Sequence, residues 1–402
     1  MAKKKEKLLT REDVLKAIEK NGDTAKGLDL SGKHFKTSIR LSKLFLPGII
    51  LKKANLKRAR LKKAYLMNAH LEGAILGDAH LEKAYLGGAH LEEAYLWGAH
   101  LEGAYLRESH LEGADLGDAH LEEANLGHAH LEGANLSGAH LEGADLLGAH
   151  LEGADLLGAH LEKAYLMNAH LEKAILENAH LEKANLEIAH LEEAYLGGAH
   201  LEGANLDGAH LEGAYLVDAH LQGAYLWGAK FSPETRLEQA DWENYILGEE
   251  KDGVFVTASE AYRRLKIWYT EHGMYDITGK FFYREMEVRR KAQSWKEEPH
   301  LKLWYWVMRM LCGYGEKPER VAISAAAIIF GLAVAYFLWG TFNSSSFWDT
   351  LYYSVASFTA LGYGQWAPQP SGWAKGMGAG EAVIGVSMMA LFLVTFTRKM
   401  IR

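Results

Sequence analysis

The most regular feature of the chain is a leucine at every fifth position from Leu41 to Leu226, thirty-eight in succession, with Phe231 continuing the register. Alanine stands two residues ahead of each from Ala54 to Ala229, with Ser109 the single exception. On an α-helix, leucines at this spacing would advance by roughly 140° per step and spiral around the axis, leaving no apolar face. On a flat strand the odd spacing would send them alternately to opposite faces. A chain that turns a corner after every pentad instead points each Leu and each Ala inward, so stacked coils share one narrow core. Leu28, Leu30 and Phe35 read as an earlier, imperfect coil, and Pro is absent from 48 to 232, as a ladder of backbone hydrogen bonds requires. Ahead of the repeats, residues 10 to 26 predict a short capping helix, with Thr10 and Glu12 or Asp13 as start signal and Val14, Leu15 and Ile18 as its stripe.

The pentads Ala54-Asn55-Leu56, Ala114-Asp115-Leu116 and Ala204-Asn205-Leu206 resemble the pentapeptide repeat family. The resemblance implies an all-β, right-handed quadrilateral β-helix with four pentads per coil. On that plan the rod would be about 47 Å long at about 4.8 Å per coil. A second period of ten overlies the first: His recurs from His70 to His220, sixteen in all, and Glu follows two residues later from Glu72 to Glu212. Four pentads per coil would sort these into His and Glu ladders on two opposite sides. The default reading is a duplicated ten-residue unit with solvated imidazoles. A pH sensor has a mechanism, since stacked imidazoles about 5 Å apart repel once protonated. A zinc array is disfavoured, because stacked rings lack the convergent arrangement of a metal site.

The C-terminal part has a different pattern. Val321 to Trp339 is nineteen residues without a charge, and Gly376 to Phe396 is twenty-one residues with one, Glu381. Each is long enough to cross a bilayer as a helix. Between them, Ser346 to Pro368 reads SFWDTLYYSVASFTALGYGQWAP, an apolar helix-forming run, then Thr359-Ala360-Leu361-Gly362-Tyr363-Gly364, then a Gly- and Pro-containing exit. Gly313-Tyr314-Gly315 also spells GYG, but it precedes a charged segment and follows no such helix, so it reads as a turn.

This order of outer helix, pore helix, GYG and inner helix resembles the two-transmembrane potassium channel pore domain, over roughly Ala322 to Arg402. The resemblance implies a homotetramer, a re-entrant pore loop, a selectivity filter of backbone carbonyls from Thr359 to Gly364, and permeant K+ or Na+ with no cofactor and no enzyme chemistry. Two positions depart from the family. Ala360 replaces the Thr whose hydroxyl forms the innermost oxygen ring, which leaves the strictness of K+ over Na+ open. Gln365 replaces a common Asp at the mouth, removing a charge and a hydrogen-bond partner behind the filter. Glu381 is expected to bond the pore-helix region, with outward snorkelling as the alternative, and Gly385 is a natural bend for gating, with close helix packing as the plainer alternative.

Composition sets limits on the rest. The 402 residues carry a net charge of −8 and one cysteine, Cys312, which excludes an intrachain disulfide framework and a cysteine-based zinc site. Five Lys or Arg stand against twenty-eight Asp or Glu between residues 64 and 229. That acidity brings a rival class into view, because some pentapeptide repeat proteins mimic DNA and bind gyrase-type enzymes. Such a protein would be anchored to the membrane by a non-conducting pore-like domain. Nucleic acid itself is not an expected partner, and the rod offers a surface for a cytoplasmic protein or ligand.

The N-terminus has positive charges without the apolar core of a secretory signal. Lys317, Arg320, Arg398, Lys399 and Arg402 flank the spans, so both termini are expected on the cytoplasmic side of the plasma (inner) membrane. The expected organisation is a helical cap over 1–27 and a pentapeptide β-helix over 28–232. A cap, linker and helical hairpin follow over 233–299, with Trp242, Tyr245 and Val254 closing the last coil. An amphipathic interfacial helix and turn cover 300–320, and the pore domain covers 321–402. The expected function is a tetrameric, potassium-preferring cation channel with a regulatory or scaffolding rod.

Overall fold

The computed structural model of the chain describes residues 8–339, 346–360 and 373–400. They fall into two compact units, Met1–Ala261 and Tyr262–Arg402. The first opens with helix α1 (Arg11–Lys20), where Thr10 Oγ1 accepts from the Asp13 amide and Asp13 accepts from the Thr10 amide. The helix is shorter than its apolar pattern suggests, because Gly22 at φ 74° and Asp23 at φ 57° turn the chain out of it. Val14 is buried as expected, but Leu15 is 41% exposed.

From Asp29 to Asp241 the chain winds into a solenoid of parallel, single-residue bridges. The step is twenty residues over most of its length, for example His70↔His90 and Tyr85↔Tyr105, which makes four pentads per coil. It lengthens to twenty-one at Asp29↔Ile50 and again at Tyr215↔Arg236. The first extra residue falls at the six-residue Phe35–Leu41 step, the second beside Pro233. Among the described residues no strand grows beyond its bridge, because each pentad contributes one extended residue and spends the others on turns. The hydrogen bonding is nonetheless continuous: Leu91 N donates to His110 O at 2.6 Å, and His90 N donates to Ala69 O at 2.9 Å.

The period-five reasoning locates the interior. Leu46 to Leu226 and Ala54 to Ala229 are at most 2% exposed at every repeat, and Ser109 takes its alanine's place at 0%. Each such leucine contributes about 2 kcal/mol of burial. The second residue after each Leu adopts a left-handed conformation, as at Gly113 (φ 62°) and Lys83 (φ 56°). Glycine recurs there because it bears no Cβ penalty. Ile188 at φ 55° is the costliest occupant, being β-branched.

The solenoid's C-terminal end is sealed by Trp242 and Leu247, at 3% and 0% exposure, while Val254 is 51% exposed. Helix α2 (Gly248–Lys251) delivers Glu249, whose Oε1 accepts from the Leu226 amide at 2.9 Å. Burial pushes the Glu249 carboxyl up from its ordinary value. Tyr225 donates to Asp252 at 2.7 Å, and that carboxylate, with burial, raises the phenol to about 12. The boundary between the two units falls inside α3 (Phe255–Glu271).

In the second unit, α3 runs to the Gly273 turn (φ 72°) and pairs with α4 (Tyr275–Ala292). Tyr269 stacks on Phe281 at 5.5 Å, and Lys266 reaches Glu285 at 2.6 Å. Helix α5 (Pro299–Cys312) follows, then the tight turn Gly313–Gly315, and then the long helices α6 (Pro318–Leu338) and α8 (Trp373–Met400) with α7 (Phe347–Thr359) between them in sequence. Both α6 and α8 have the length and apolar composition to cross a membrane.

Candidate ion-conduction site

Helix α7 is held between the two long helices by a buried polar cluster. Ser354 Oγ lies 2.9 Å from Ile329 O on α6 and makes a short hydrogen bond to Glu381 Oε1 on α8, so its single proton is shared between two acceptors. Tyr336 on α6 donates to Glu381 Oε2 at 3.1 Å. Tyr353 donates to Ala374 O at 3.2 Å and meets Tyr336 edge to face at 5.3 Å. Glu381, Ser354, Tyr336 and Tyr353 are all at most 1% exposed. Each helix thus presents a donor or acceptor where water is excluded, and each partner satisfies another.

A second fixing point lies one turn further along α8. A methyl at Gly385 would fall 1.7 Å from Phe358 O, so the missing side chain is what lets α8 lie against the C-terminal end of α7. Phe358, Met388, Val321 and Cys312 pack together around that approach. Helix α7 ends with Thr359, whose hydroxyl donates back to Val355 O at 2.7 Å, and with Ala360 in the left-handed conformation at φ 53°. The C-terminal end of a helix carries partial negative charge, which favours a cation beyond it. Leu361, Gly362, Tyr363, Gly364 and Gln365 lie outside the described residues.

The structure therefore brings Glu381, Gly385 and the end of α7 together. The sequence alone points to Glu381 and Gly385 but not to Tyr336, Ser354 or Tyr353. A signal for them existed: each is a hydroxyl inside an otherwise apolar run, and a buried hydroxyl implies a partner.

The second GYG is a structural joint. Gly313, Tyr314 and Gly315 have φ of 53°, 59° and 90°, and Tyr314 turns inward to donate to Glu287 Oε1 at 2.9 Å. Glu287 also holds Arg290 at 3.1 Å and Arg309 at 3.2 Å, tying α4 to α5. Burial, and then Glu287, push the Tyr314 phenol upward. On α5, Leu303, Trp304, Trp306 and Met310 are exposed.

The solenoid carries its own ordered side chains. His rings on successive coils stack 4.6–5.0 Å apart, nearly parallel from His70–His90 to His180–His200. Within a rung, Nδ1 lies 3.0 Å (His90–Glu92) to 3.6 Å (His80–Glu82) from the Glu Oε1. The second oxygen, Oε2, of every ladder Glu, at each tenth position from Glu72 to Glu212, is buried without a protein partner.

These features define a membrane channel-type helical unit attached to a repeat solenoid. Comparison with known families gives the same two parts. The profile of pentapeptide repeats matches in eight copies, from 39–73 through to 194–232, and the profile described as "Ion channel" matches 321–402. Among solved structures, HetL, a pentapeptide repeat protein involved in heterocyst differentiation regulation from Nostoc sp. strain PCC 7120, is 31% identical, with 59% of this chain and 96% of that one covered at a TM-score of 0.32. Rfr23 from Cyanothece 51142 is 32% identical, covering 28% and 64% at 0.15. A pentapeptide repeat protein of the Arabidopsis thaliana thylakoid lumen is 26% identical, covering 31% and 70% at 0.14. No curated protein matches. The chain belongs to the pentapeptide repeat proteins and carries a two-transmembrane, potassium channel-type domain at its C-terminal end. It is a membrane protein of a class that passes ions, and neither family is one of enzymes.

Proposed function

We propose that the chain is one subunit of a homotetrameric, potassium-preferring cation channel of the plasma (inner) membrane. Backbone carbonyls of Thr359, Ala360, Leu361, Gly362, Tyr363 and Gly364 from four copies replace the hydration shell of a K+ ion. Four copies are needed because one loop supplies one side of each oxygen ring. Ala360 leaves the cavity-side ring without its hydroxyls, so water completes that site and Na+ is discriminated less strictly. Glu381 supports the filter from behind, and Gln365 supports it more weakly than the Asp common at that position, having no charge to offer. Both termini and the pentapeptide rod lie on the cytoplasmic side, where the rod regulates or scaffolds the pore. The rod itself is read as a right-handed quadrilateral β-helix, a reading supported by its twenty-residue coil.

The observation that carries the reading is the cluster of Ser354, Tyr336, Glu381 and Gly385. It clamps a short helix between two membrane-length helices so that its negative end stops where the GYG sequence begins. The test is K+ flux through liposomes containing the purified full chain. Wild type should conduct, and Gly362→Ala and Tyr363→Ala should not. Flux that persists in both variants removes the pore assignment, and a bi-ionic reversal potential showing Na+ and K+ equally permeant removes the preference.

A further inference from the structure

The His and Glu ladders have the donor chemistry of a metal site, and the structure answers the objection that stacked rings cannot converge. At Glu192 two rings from successive coils meet one carboxylate oxygen: His190 Nδ1 at 3.5 Å and His210 Nδ1 at 3.1 Å from Oε1. The His210 ring has turned 41° out of the stack to do so, with Lys230 Nζ 2.9 Å from its Nε2. The backbone bridge His190↔His210 is kept, so rotation about the side chain alone is enough. Elsewhere, triads such as His70–Glu72–His90 and His140–Glu142–His160 place two imidazole nitrogens and a carboxylate oxygen within 4.8 Å of one another, half-buried.

The distances suit a cation. Ligands bonded at about 2.1 Å in a tetrahedron stand about 3.4 Å apart. The Nδ1 to Oε1 separations of 3.0–3.6 Å within a rung already span that value. The neighbouring ring is then the one group that must turn, as His210 does. A carboxylate whose Oε2 has no protein donor can also close onto the ion through its second oxygen. The donor set, imidazole with carboxylate and no thiolate, selects a borderline divalent transition ion such as Zn2+ or Co2+. The rod's excess of acidic residues favours cations of any kind, and the paired imidazoles add the selectivity.

We propose that each ladder binds divalent transition-metal ions, each ion held by Nδ1 of two His on successive coils and by the Glu carboxylate between them. Every ion uses two rings, so one ladder takes at most one ion for every two of its histidines, and cross-coil ligation stiffens the rod. The proposal does not depend on ion conduction.

The test is equilibrium dialysis of the full-length protein in detergent against ZnCl2, purified without a histidine tag, with bound zinc measured by elemental analysis. Wild type should bind several ions per chain. A variant with one ladder changed, His70, His90, His110, His130, His150, His170, His190 and His210 each to Gln, should bind about half as many. A second measurement needs no variant: zinc should protect the ladder histidines of wild type from diethyl pyrocarbonate while leaving His272 and His300 reactive. Less than one ion per chain, unchanged binding by the one-ladder variant in its folded state, or no selective protection overturns the proposal.

Discussion

A methyl group at Gly385 tests the packing of the pore unit most directly. Built on the existing backbone, the Cβ of Gly385→Ala would stand 1.7 Å from Phe358 O, 2.6 Å from its carbonyl carbon and 3.0 Å from its Cα. A carbon and a carbonyl oxygen approach no closer than about 3.3 Å, so α8 and the end of α7 must part by about 1.6 Å. The obstacle is helix backbone, which cannot swing aside as a side-chain tip can. Overpacking of this kind costs about 1–3 kcal/mol, and a rigid obstacle argues for the upper end. Replacing Gly by Ala within a helix returns about 1 kcal/mol, leaving a net loss of about 2 kcal/mol per chain.

The same helix supplies controls, since a methyl at Gly376 or Gly380 meets nothing within 4 Å in the chain. Thermal unfolding in detergent and K+ flux in liposomes should therefore separate Gly385→Ala from Gly376→Ala and Gly380→Ala. The first should melt earlier and conduct less, because the same shift moves the end of α7. The other two should melt as wild type or later. If all three variants melt and conduct alike, the close approach does not hold the helices. A Gly385→Ala channel of normal stability but altered opening would mean that the residue is a hinge and not a packing contact.

Two further outcomes follow from buried polar groups. Ser354→Ala and Tyr336→Phe each leave one oxygen of Glu381 without its donor and should each lower stability by about 1–3 kcal/mol. The double variant should cost less than the sum, which a double-mutant cycle on thermal unfolding will read; strict additivity would show that the three groups do not form one cluster. At the end of the solenoid, burial raises the Glu249 carboxyl above its ordinary 4.5. The native state then holds this proton more tightly than the unfolded chain, so the group's stabilisation is complete below about pH 4.5 and is lost as pH rises through the raised value. Wild type should lose stability relative to Glu249→Gln over that rise, measured as the difference in denaturant midpoints of the rod's circular dichroism signal. A difference that does not vary with pH between 4 and 8 would exclude a shifted carboxyl.

The two parts of the chain were unequally legible. The solenoid could be read because its contacts are periodic: a residue's neighbour in space is twenty positions away, so a pattern of five in the sequence is also a pattern of the core. What the leucines could not reveal was the left-handed residue in each pentad, although recurring glycines such as Gly113, Gly133 and Gly143 marked it. Nor could they show where Val254 would stand, because beyond Leu247 the period ends and local packing takes over.

The sequence by itself determined the inward Leu and Ala positions, the two membrane-length helices and the order in which a short apolar helix and a GYG run lie between them. Only the tertiary structure decided that Ser354 and Tyr336 meet Glu381, that Phe358 lies against Gly385, and that His210 leaves its stack to share Glu192 with His190. The physical reason is reach. Periodic burial follows from bond geometry and the exclusion of apolar groups from water, which act on every residue where it stands. A contact between groups 27 or 45 residues apart depends on how whole helices pack, and no local pattern encodes that.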